Sequence, residues 1–367
     1  MQNKTIGILT ILMISFLSSN AQANNSKGFI LKGHIDGIEN GTKVYLHNID
    51  EQIKIDSAVS INGNFTFKGH IDHPTSCWVL CKDQYAIIQV ENTNMDFYSP
   101  LKNMRLYAVA KGGKEQELQS NLSALQHPYE KVYIEAYDSL TLKQYVDKEH
   151  QKRLAKNVND YQDTAQNIYV EFGKRHPNSY LGLDILYRNR QRIGKDTIET
   201  LISQLDETLK ATPKAEALNL FVFGELAQKG KKFIDFEVKD IYGEPFKLSS
   251  LQGNFILLSF WNASCGPCRR ENKKISKDYD RFKNKLSIVS FSTDKVPSSW
   301  LKASKADNIL LTNVSDMKGD NGKIKTQYNV QAIPTSFLIN KEGIVIEKFI
   351  GLDEDLLNQL EKLIAAK

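Results

Sequence analysis

The chain has 367 residues, of which 41% are hydrophobic and 25% are charged, and its formal net charge is +5. This length suffices for two or three domains. The net charge is too small, and the Lys and Arg residues too scattered, to indicate a nucleic-acid partner. The one short basic cluster, Lys229-Lys231-Lys232, stands at a predicted linker.

Residues 1–23 are predicted to be a cleavable signal peptide. Lys4 precedes a mostly apolar run from Ile6 to Leu17, and Ala21-Gln22-Ala23 offers a small-residue cleavage site. The apolar run is short for a membrane span, although an uncleaved anchor stays open as an alternative. Export agrees with the presence of four cysteines, because disulfides persist outside the cytoplasm. We therefore predict a protein of the periplasm or cell envelope.

Residues 24–112 are predicted to form an all-β, sandwich-like domain. Short alternating runs recur between Phe29 and Tyr98, and Asn62-Gly63 stands between two of them as a predicted hairpin turn. The run from Phe29 to Asp36 is echoed by the run from Phe65 to Asp72. We interpret the two copies as equivalent strands of one small sandwich.

Two groups of side chains in this domain could carry chemistry. Cys77 and Cys81 lie on one predicted strand, about 13 Å apart at about 3.3 Å per residue, whereas a disulfide needs less than about 7 Å. Free, buried thiols are therefore favoured over a second disulfide. The other group is a set of residues that could gather as metal ligands, although ordinary polar strand ends are commoner: His34, Asp36, His70, Asp72 and His73.

The pattern from residue 113 to residue 230 predicts a helical region. Asp196-Thr197-Ile198-Glu199 is a predicted capping box, and Ala217–Ala227 is a predicted apolar helix. His176-Pro177-Asn178-Ser179 is predicted to end one helix and to begin the next. No ionisable cluster here indicates catalysis, so a spacer or a protein-contact surface is expected.

The most informative motif is Cys265-Gly266-Pro267-Cys268, in the predicted α/β domain of residues 231–367. It follows an apolar run that predicts a buried strand, and it opens a predicted helix. Backbone N–H groups and the helix dipole stabilise a thiolate at such a place, and Cys268 can close a disulfide with Cys265. A zinc site lacks further ligands at metal spacing, and an inert disulfide does not require this turn. A redox-active dithiol without metal or cofactor is favoured.

A second segment, Val330 to Asn340, brings Ile333-Pro334 just before a strand-like run. With both segments, residues 231–367 resemble a thioredoxin fold, and more closely the envelope thiol-disulfide oxidoreductases of TlpA and ResA type. The N-terminal region resembles the β-rich domain of unassigned function often fused ahead of such domains. The resemblance implies a cis peptide at Ile333-Pro334, lying against the disulfide. It also implies the candidate substrate-binding residues: Trp261, Gly266, Pro267, Ile333 and Pro334.

The resemblance further implies thiol–disulfide exchange with protein substrates, in which Cys265 is the nucleophile, Cys268 resolves the mixed disulfide, and a membrane protein donates electrons. Gly-Pro between the cysteines and Ile before Pro334 favour a reductant, with apocytochrome thiols as one substrate class of the ResA type, in cytochrome c biogenesis. A disulfide oxidase or isomerase, and a non-catalytic redox-sensing binding protein, remain as alternatives.

The chain departs from these relatives where protons are handled. Ser259 replaces the buried Asp that cytosolic thioredoxins carry two residues before the Trp, and Gly266 replaces the acidic residue between the cysteines of the ResA type. Asp294 is the first candidate for the proton relay, because it follows a predicted strand that ends on the active-site side. Glu271 is the second candidate, and a surface carboxylate is the alternative for both.

Overall fold

The computed structural model describes residues 28–282, 284–309 and 312–366. The predicted signal peptide lies outside the described residues. Within those ranges, no helix combines the length and the apolar character that a membrane span needs. The elements change from strands to helices between Lys111 and Lys114, and from helices to an α/β region between Phe223 and Glu237. The boundaries at residues 112 and 230 stay predictions.

The N-terminal region is a sandwich of two four-stranded sheets, in the orders β4-β1-β7-β8 and β3-β2-β5-β6. Inward-facing apolar side chains of both sheets form one core, as the alternation predicts. The strand β3 is an edge strand without fully buried positions. The elements are β1 Phe29–Asp36, β2 Lys43–Asn48, β3 Ile53–Val59, β4 Asn64–Gly69, β5 Thr75–Cys81, β6 Gln84–Val90, β7 Asn94–Pro100, α1 Met104–Tyr107 and β8 Val109–Lys111.

The echoed runs form β1 and β4, which are antiparallel neighbours in one sheet. Phe29 lies opposite Gly69, and Gly33 lies opposite Phe65. A Cβ on Gly33 would overlap the Phe65 ring, and a Cβ on Gly69 would lie 2.8 Å from the Phe29 ring. Each copy thus supplies the aromatic ring that covers the glycine of the other copy. The two strands are equivalent, as predicted.

The predicted hairpin at Asn62-Gly63 is wrong, although its turn is present. Both residues have positive φ, 50° and 78°, and Ile61 pairs with Asn64 across them. The strands on either side belong to different sheets, because β3 pairs with β2 and β4 pairs with β1. The tight turn therefore passes the chain from one sheet to the other.

The middle region is helical, with α2 Lys114–Thr141 and α3 Lys148–Arg175 as its longest members. The break after α3 is confirmed, since the Ser179 hydroxyl accepts the Gly182 N–H at 2.9 Å. The predicted capping box is wrong, because α6 begins one residue before Asp196, directly after Gly194 at φ 88°. The predicted helix at 217–227 instead spans 213–223. The remaining helices are α4 Tyr180–Arg188, α5 Arg190–Ile193, α6 Lys195–Ile202, α7 Glu207–Lys210 and α8 Pro213–Phe223.

The C-terminal region is a seven-stranded sheet in the order β10-β9-β13-β12-β11-β14-β15, with helices on both faces. The completely buried β11 lies between the parallel strand β12 and the antiparallel strand β14. This is the predicted thioredoxin-like fold. Its elements are β9 Glu237–Asp240, β10 Pro245–Lys247, β11 Phe255–Trp261, α9 Gly266–Lys277, β12 Leu286–Ser292, α10 Pro297–Ala306, β13 Thr312–Ser315, α11 Lys323–Gln327, β14 Thr335–Ile339, β15 Val345–Ile350 and α12 Leu356–Ala365.

Candidate active site

The two cysteines of the motif form a disulfide at the start of α9, with their Cα atoms 5.2 Å apart. Cys265 is the residue that precedes the helix, and its Sγ accepts the Cys268 N–H at 3.1 Å. Pro267 occupies the first turn, where a helix does not use the missing N–H. Cys265 is half-buried, whereas Cys268 is completely buried. Cys265 is therefore the more accessible of the two cysteines.

The segment before β14 lies against this turn. Ile333-Pro334 is a cis peptide, as the resemblance implies, and the Ile333 carbonyl oxygen lies 3.7 Å from the Cys265 Sγ. The antiparallel pairing of Phe260 with Thr335 brings the two segments together. The backbone of Ile333 consequently lies beside the Cys265 sulfur.

The five candidate substrate-binding residues differ in their exposure. Gly266 and Pro267 are exposed, and Ile333 is half-buried. Trp261 is completely buried and packs with Cys268 and Trp300 behind the disulfide. Pro334 is also buried. Trp261 and Pro334 thus support the turn from the protein side, while the other three residues border the surface next to Cys265.

Asp294 fixes the loop that leads to Cys265. Its carboxylate accepts the Ala263 N–H at 3.0 Å and the Ser292 hydroxyl at 2.7 Å. Burial raises the pKa of Asp294, and the hydrogen bonds from Ser292 and Ala263 partly oppose that increase. Both oxygens of the Asp294 carboxylate therefore accept hydrogen bonds, from Ala263 in the loop and from Ser292 at the end of β12.

Glu271 lies on α9, one turn after Cys268, and is 4% exposed. Burial raises the pKa of its carboxyl to about 7, and the negative charge of Asp353 adds to the increase. The positive charge of Lys274 favours the ionised form but does not restore the ordinary pKa. Ser259 stands where cytosolic thioredoxins carry their buried Asp. The helix thus places a carboxyl group beside the position that lacks one.

Arg269 connects three parts of the site, which the sequence did not indicate. Its guanidinium binds the buried Asp307 carboxylate at the end of α10, and its Nη1 donates to the Ala263 carbonyl at 3.2 Å. Ala263 is therefore held at its N–H by Asp294 and at its carbonyl by Arg269. Arg270 is exposed. Arg269 is therefore engaged with Asp307 and with the loop that leads to Cys265.

The other candidate groups lie in the β-sandwich. Cys77 and Cys81 are buried and are not joined to each other, and burial, with a smaller effect of Asp50, raises the pKa of Cys77 to about 12. Such a thiol reacts slowly at neutral pH. In the part of the chain that the structure describes, no group of His, Cys, Asp or Glu residues is arranged to hold a metal ion. His34 instead bonds to Asn64 and Asp36.

Comparison with known proteins separates the two ends of the chain. Residues 229–348 match the AhpC/TSA family, and residues 29–119 match a domain of unknown function (DUF4369). A thiol-disulfide oxidoreductase ResA of Bacillus cereus is 34% identical over 142 residues, which are 38% of this chain and 79% of that protein.

Two further similarities fall in the same C-terminal region. The thioredoxin-like protein YneN of Bacillus subtilis (strain 168) is 31% identical over 127 residues, 34% of this chain and 72% of that protein. Among solved structures, the thioredoxin domain of a thiol-disulfide oxidoreductase from Bacteroides vulgatus has 28% identity and a TM-score of 0.35. That similarity covers 37% of this chain and 98% of the other.

Proposed function

Because this chain belongs to the thioredoxin-like thiol-disulfide oxidoreductases of ResA type, we propose that it reduces disulfides of exported proteins through a dithiol formed by Cys265 and Cys268. The observation that carries the proposal is the difference between the two sulfurs. Cys265 lies half-exposed at the start of a helix, beside the Ile333 carbonyl, while Cys268 is completely buried one turn behind it. This difference supports Cys265 as the sulfur that meets a substrate and Cys268 as the sulfur that releases it.

The proposed cycle begins with both cysteines reduced. The Cys265 thiolate attacks one sulfur of the substrate disulfide, and the second substrate sulfur leaves as a thiolate and takes up a proton. Cys268 then loses its proton and attacks the Cys265 Sγ, which releases the first substrate sulfur. Two electrons have passed to the substrate, and the Cys265–Cys268 disulfide remains. A thiol-bearing electron donor must reduce that disulfide before the next cycle.

We propose Glu271 as the group that takes the proton of Cys268. It lies on the same helix as Cys268, it is buried, and a pKa of about 7 allows its carboxyl to exchange protons near neutral pH. Asp294 was the first candidate from the sequence. Its two oxygens bond to Ala263 and Ser292, which supports a positioning role better than a proton relay.

The cellular setting of the proposal depends on the sequence. The predicted signal peptide of residues 1–23 supports export to the periplasm or cell envelope. A dithiol outside the cytoplasm has no access to soluble cytosolic reductases, so we propose a membrane protein as the electron donor. Apocytochrome thiols remain one candidate substrate class, implied by the ResA-type resemblance.

A redox titration of the full chain tests the direction of electron flow. Reduction potentials of this fold extend from about −270 mV to about −120 mV, a difference of roughly 7 kcal/mol. The Gly266-Pro267 pair is of the thioredoxin type, so we expect a potential near the lower end, measured by thiol labelling and mass spectrometry. A value near the upper end would make disulfide formation or isomerisation the better assignment. If the Cys265→Ser variant still reduces the disulfides of protein substrates, the dithiol mechanism is wrong.

A further inference from the structure

A cleft of about 780 Å³ lies where the three regions of the chain meet, a volume typical of ligand sites. The sandwich contributes the start of β3 and the segment from His70 to Ser76. The helical region contributes parts of α4 and the start of α8, including Leu183 and Lys214. The thioredoxin-like region contributes Lys295, Met317, Lys318 and Asn321.

The cleft and the redox turn lie at the same edge of the C-terminal sheet. The parallel strands β11, β12 and β13 end side by side, with Trp261 opposite Ser292 and Ser292 opposite Ser315. The loop after β11 carries Cys265, and the next two loops carry the lining residues of the cleft. Neighbouring strands are about 4.8 Å apart, so these loops lie roughly one and two strand spacings from the redox loop. An extended chain covers such a distance in about three residues.

Met317 connects the two places directly. It follows β13 and lines the cleft, and it also packs against the buried cluster that contains Trp261 and Cys268. Lys295 likewise follows Asp294, the residue that holds the loop before Cys265. The cleft and the redox turn therefore share the same edge of the sheet.

Five of the charged residues that line the cleft are paired, namely Asp50, Glu51, Asp184, Lys214 and Lys295. Lys214 Nζ lies 2.6 Å from carboxylate oxygens of both Asp50 and Asp184, and Arg188 bonds to the same two residues. Glu51, next to Asp50, pairs with Lys295 of the thioredoxin-like region. The lining as a whole carries as many acidic residues as basic ones: Asp50, Glu51, Asp72 and Asp184 against Lys54, Lys214, Lys295 and Lys318. A lining with balanced charge favours an uncharged, hydrogen-bonding ligand such as a polypeptide backbone over a phosphate or a cation.

The edge of β3 offers hydrogen bonds to such a backbone. Among the described strands, β3 pairs with β2 alone, so its other edge carries no ladder. From Asp56 onward this edge approaches β4, where the Asp56 carboxylate accepts the Lys68 N–H at 2.9 Å. The part before Asp56, residues 53–55, lines the cleft. Extended peptides commonly bind by adding a strand to such an edge.

We propose that this cleft binds, in extended conformation, the polypeptide segment next to the reacting disulfide of the substrate. The inference rests on the proposed function, because it assigns a substrate class to the same redox turn. Binding of such a segment would give residues 24–230 a role in selecting polypeptide disulfides over small disulfides.

A bulky label in the cleft tests the proposal on the full chain. Lys54→Cys, which is exposed in the cleft, is labelled with a bulky maleimide while the Cys265–Cys268 disulfide is closed. Lys32→Cys, exposed on β1 and outside the cleft, is the matched control. Reduction of insulin is compared with reduction of 2-hydroxyethyl disulfide. We expect the Lys54 label to lower kcat/KM for insulin about 10-fold and to leave the small disulfide unaffected.

Each outcome of the labelling experiment either supports or overturns the inference. An unchanged insulin rate with the Lys54 label overturns the inference. An equal loss with both substrates also overturns it, because the label then acts on the redox pair itself. If the unlabelled chain reduces neither substrate, the proposed function fails, and the inference falls with it. The labelled Lys32→Cys control is expected to reduce both substrates at the rate of the unlabelled chain.

A trapped complex tests the added strand directly. In Cys268→Ser the mixed disulfide on Cys265 cannot be resolved, so a cysteine-containing insulin peptide stays attached. Hydrogen exchange of those amides of residues 53–55 that face away from β2 should then be at least about 10-fold slower than in the same variant carrying 2-mercaptoethanol. Equal exchange in the two adducts would exclude strand addition to β3.

Discussion

Glu271→Gln is expected to remove a pH-dependent loss of stability. Burial raises the pKa of Glu271 from an ordinary 4.5 to about 7 in the folded chain. Between these two values the folded chain holds a proton that the unfolded chain has released, so the free energy of unfolding falls as pH rises through this window. At about 1.36 kcal/mol per pKa unit, the loss reaches roughly 3 kcal/mol by about pH 7 and then levels off. Gln carries no charge and avoids this loss.

Urea unfolding of the oxidised chain at about pH 5 and about pH 8 measures this effect. Trp78 lies in the sandwich, so a Trp78→Phe background leaves Trp261 and Trp300 to report on the thioredoxin-like domain alone. We expect Glu271→Gln to gain about 3 kcal/mol over its parent at the higher pH and much less at the lower pH. Glu237→Gln, on an exposed strand position, is the matched control and should show no such pH-dependent gain. An equal gain at both pH values would refute the assignment of a buried, protonated Glu271.

Glu271→Gln should slow the release of substrate from a mixed disulfide on Cys265 about 100-fold near neutral pH, measured by quenched-flow mass spectrometry, while Asp294→Asn should leave the pH profile of that step unchanged. Lys214→Met removes one of the two cations that pair with the buried Asp184 and the partly buried Asp50, while Arg188 remains, and it should cost about 2 kcal/mol in urea unfolding. Its exposed counterpart Lys210→Met should cost little. Gly33→Ala places a Cβ within the Phe65 ring and should lower the free energy of unfolding of the sandwich by about 2 kcal/mol, with Lys32→Ala on the same strand as control.

The redox turn could be predicted from the sequence because its signals are local. A buried strand, two cysteines and a proline in the first turn lie within 14 consecutive residues, Phe255–Cys268. The fold then places Ile333 beside Cys265, as the resemblance implies. The two candidates for the proton relay, Asp294 and Glu271, could not be ranked from local sequence signals. Whether a carboxyl is buried or hydrogen-bonded depends on packing, and packing gives Asp294 two hydrogen-bond donors and leaves the Glu271 Oε1 without a partner among the described residues.

The errors in the sequence interpretation have local physical causes. Asp196 and Glu199 have the spacing of a capping box, but Gly194 takes a positive φ and starts the helix one residue earlier. Asn62-Gly63 forms the tight turn that its residues favour, yet the partner of each flanking strand is decided by the two-sheet packing. Local propensity determined the turn, and tertiary contacts determined what the turn connects.

The cleft could not be predicted at all, because its contacts join distant parts of the chain. Lys214 lies 164 residues from Asp50, and Lys295 lies 244 residues from Glu51. In the sequence, Asp50-Glu51 is an ordinary polar turn between two strands. In the structure, its two adjacent carboxylates bind the helical region and the thioredoxin-like region, respectively. One short turn therefore holds both other walls of the cleft. If the cleft receives the substrate, the alignment of a bound segment with Cys265 depends on this turn, since a shift of the sandwich would carry the edge of β3 away from the redox loop.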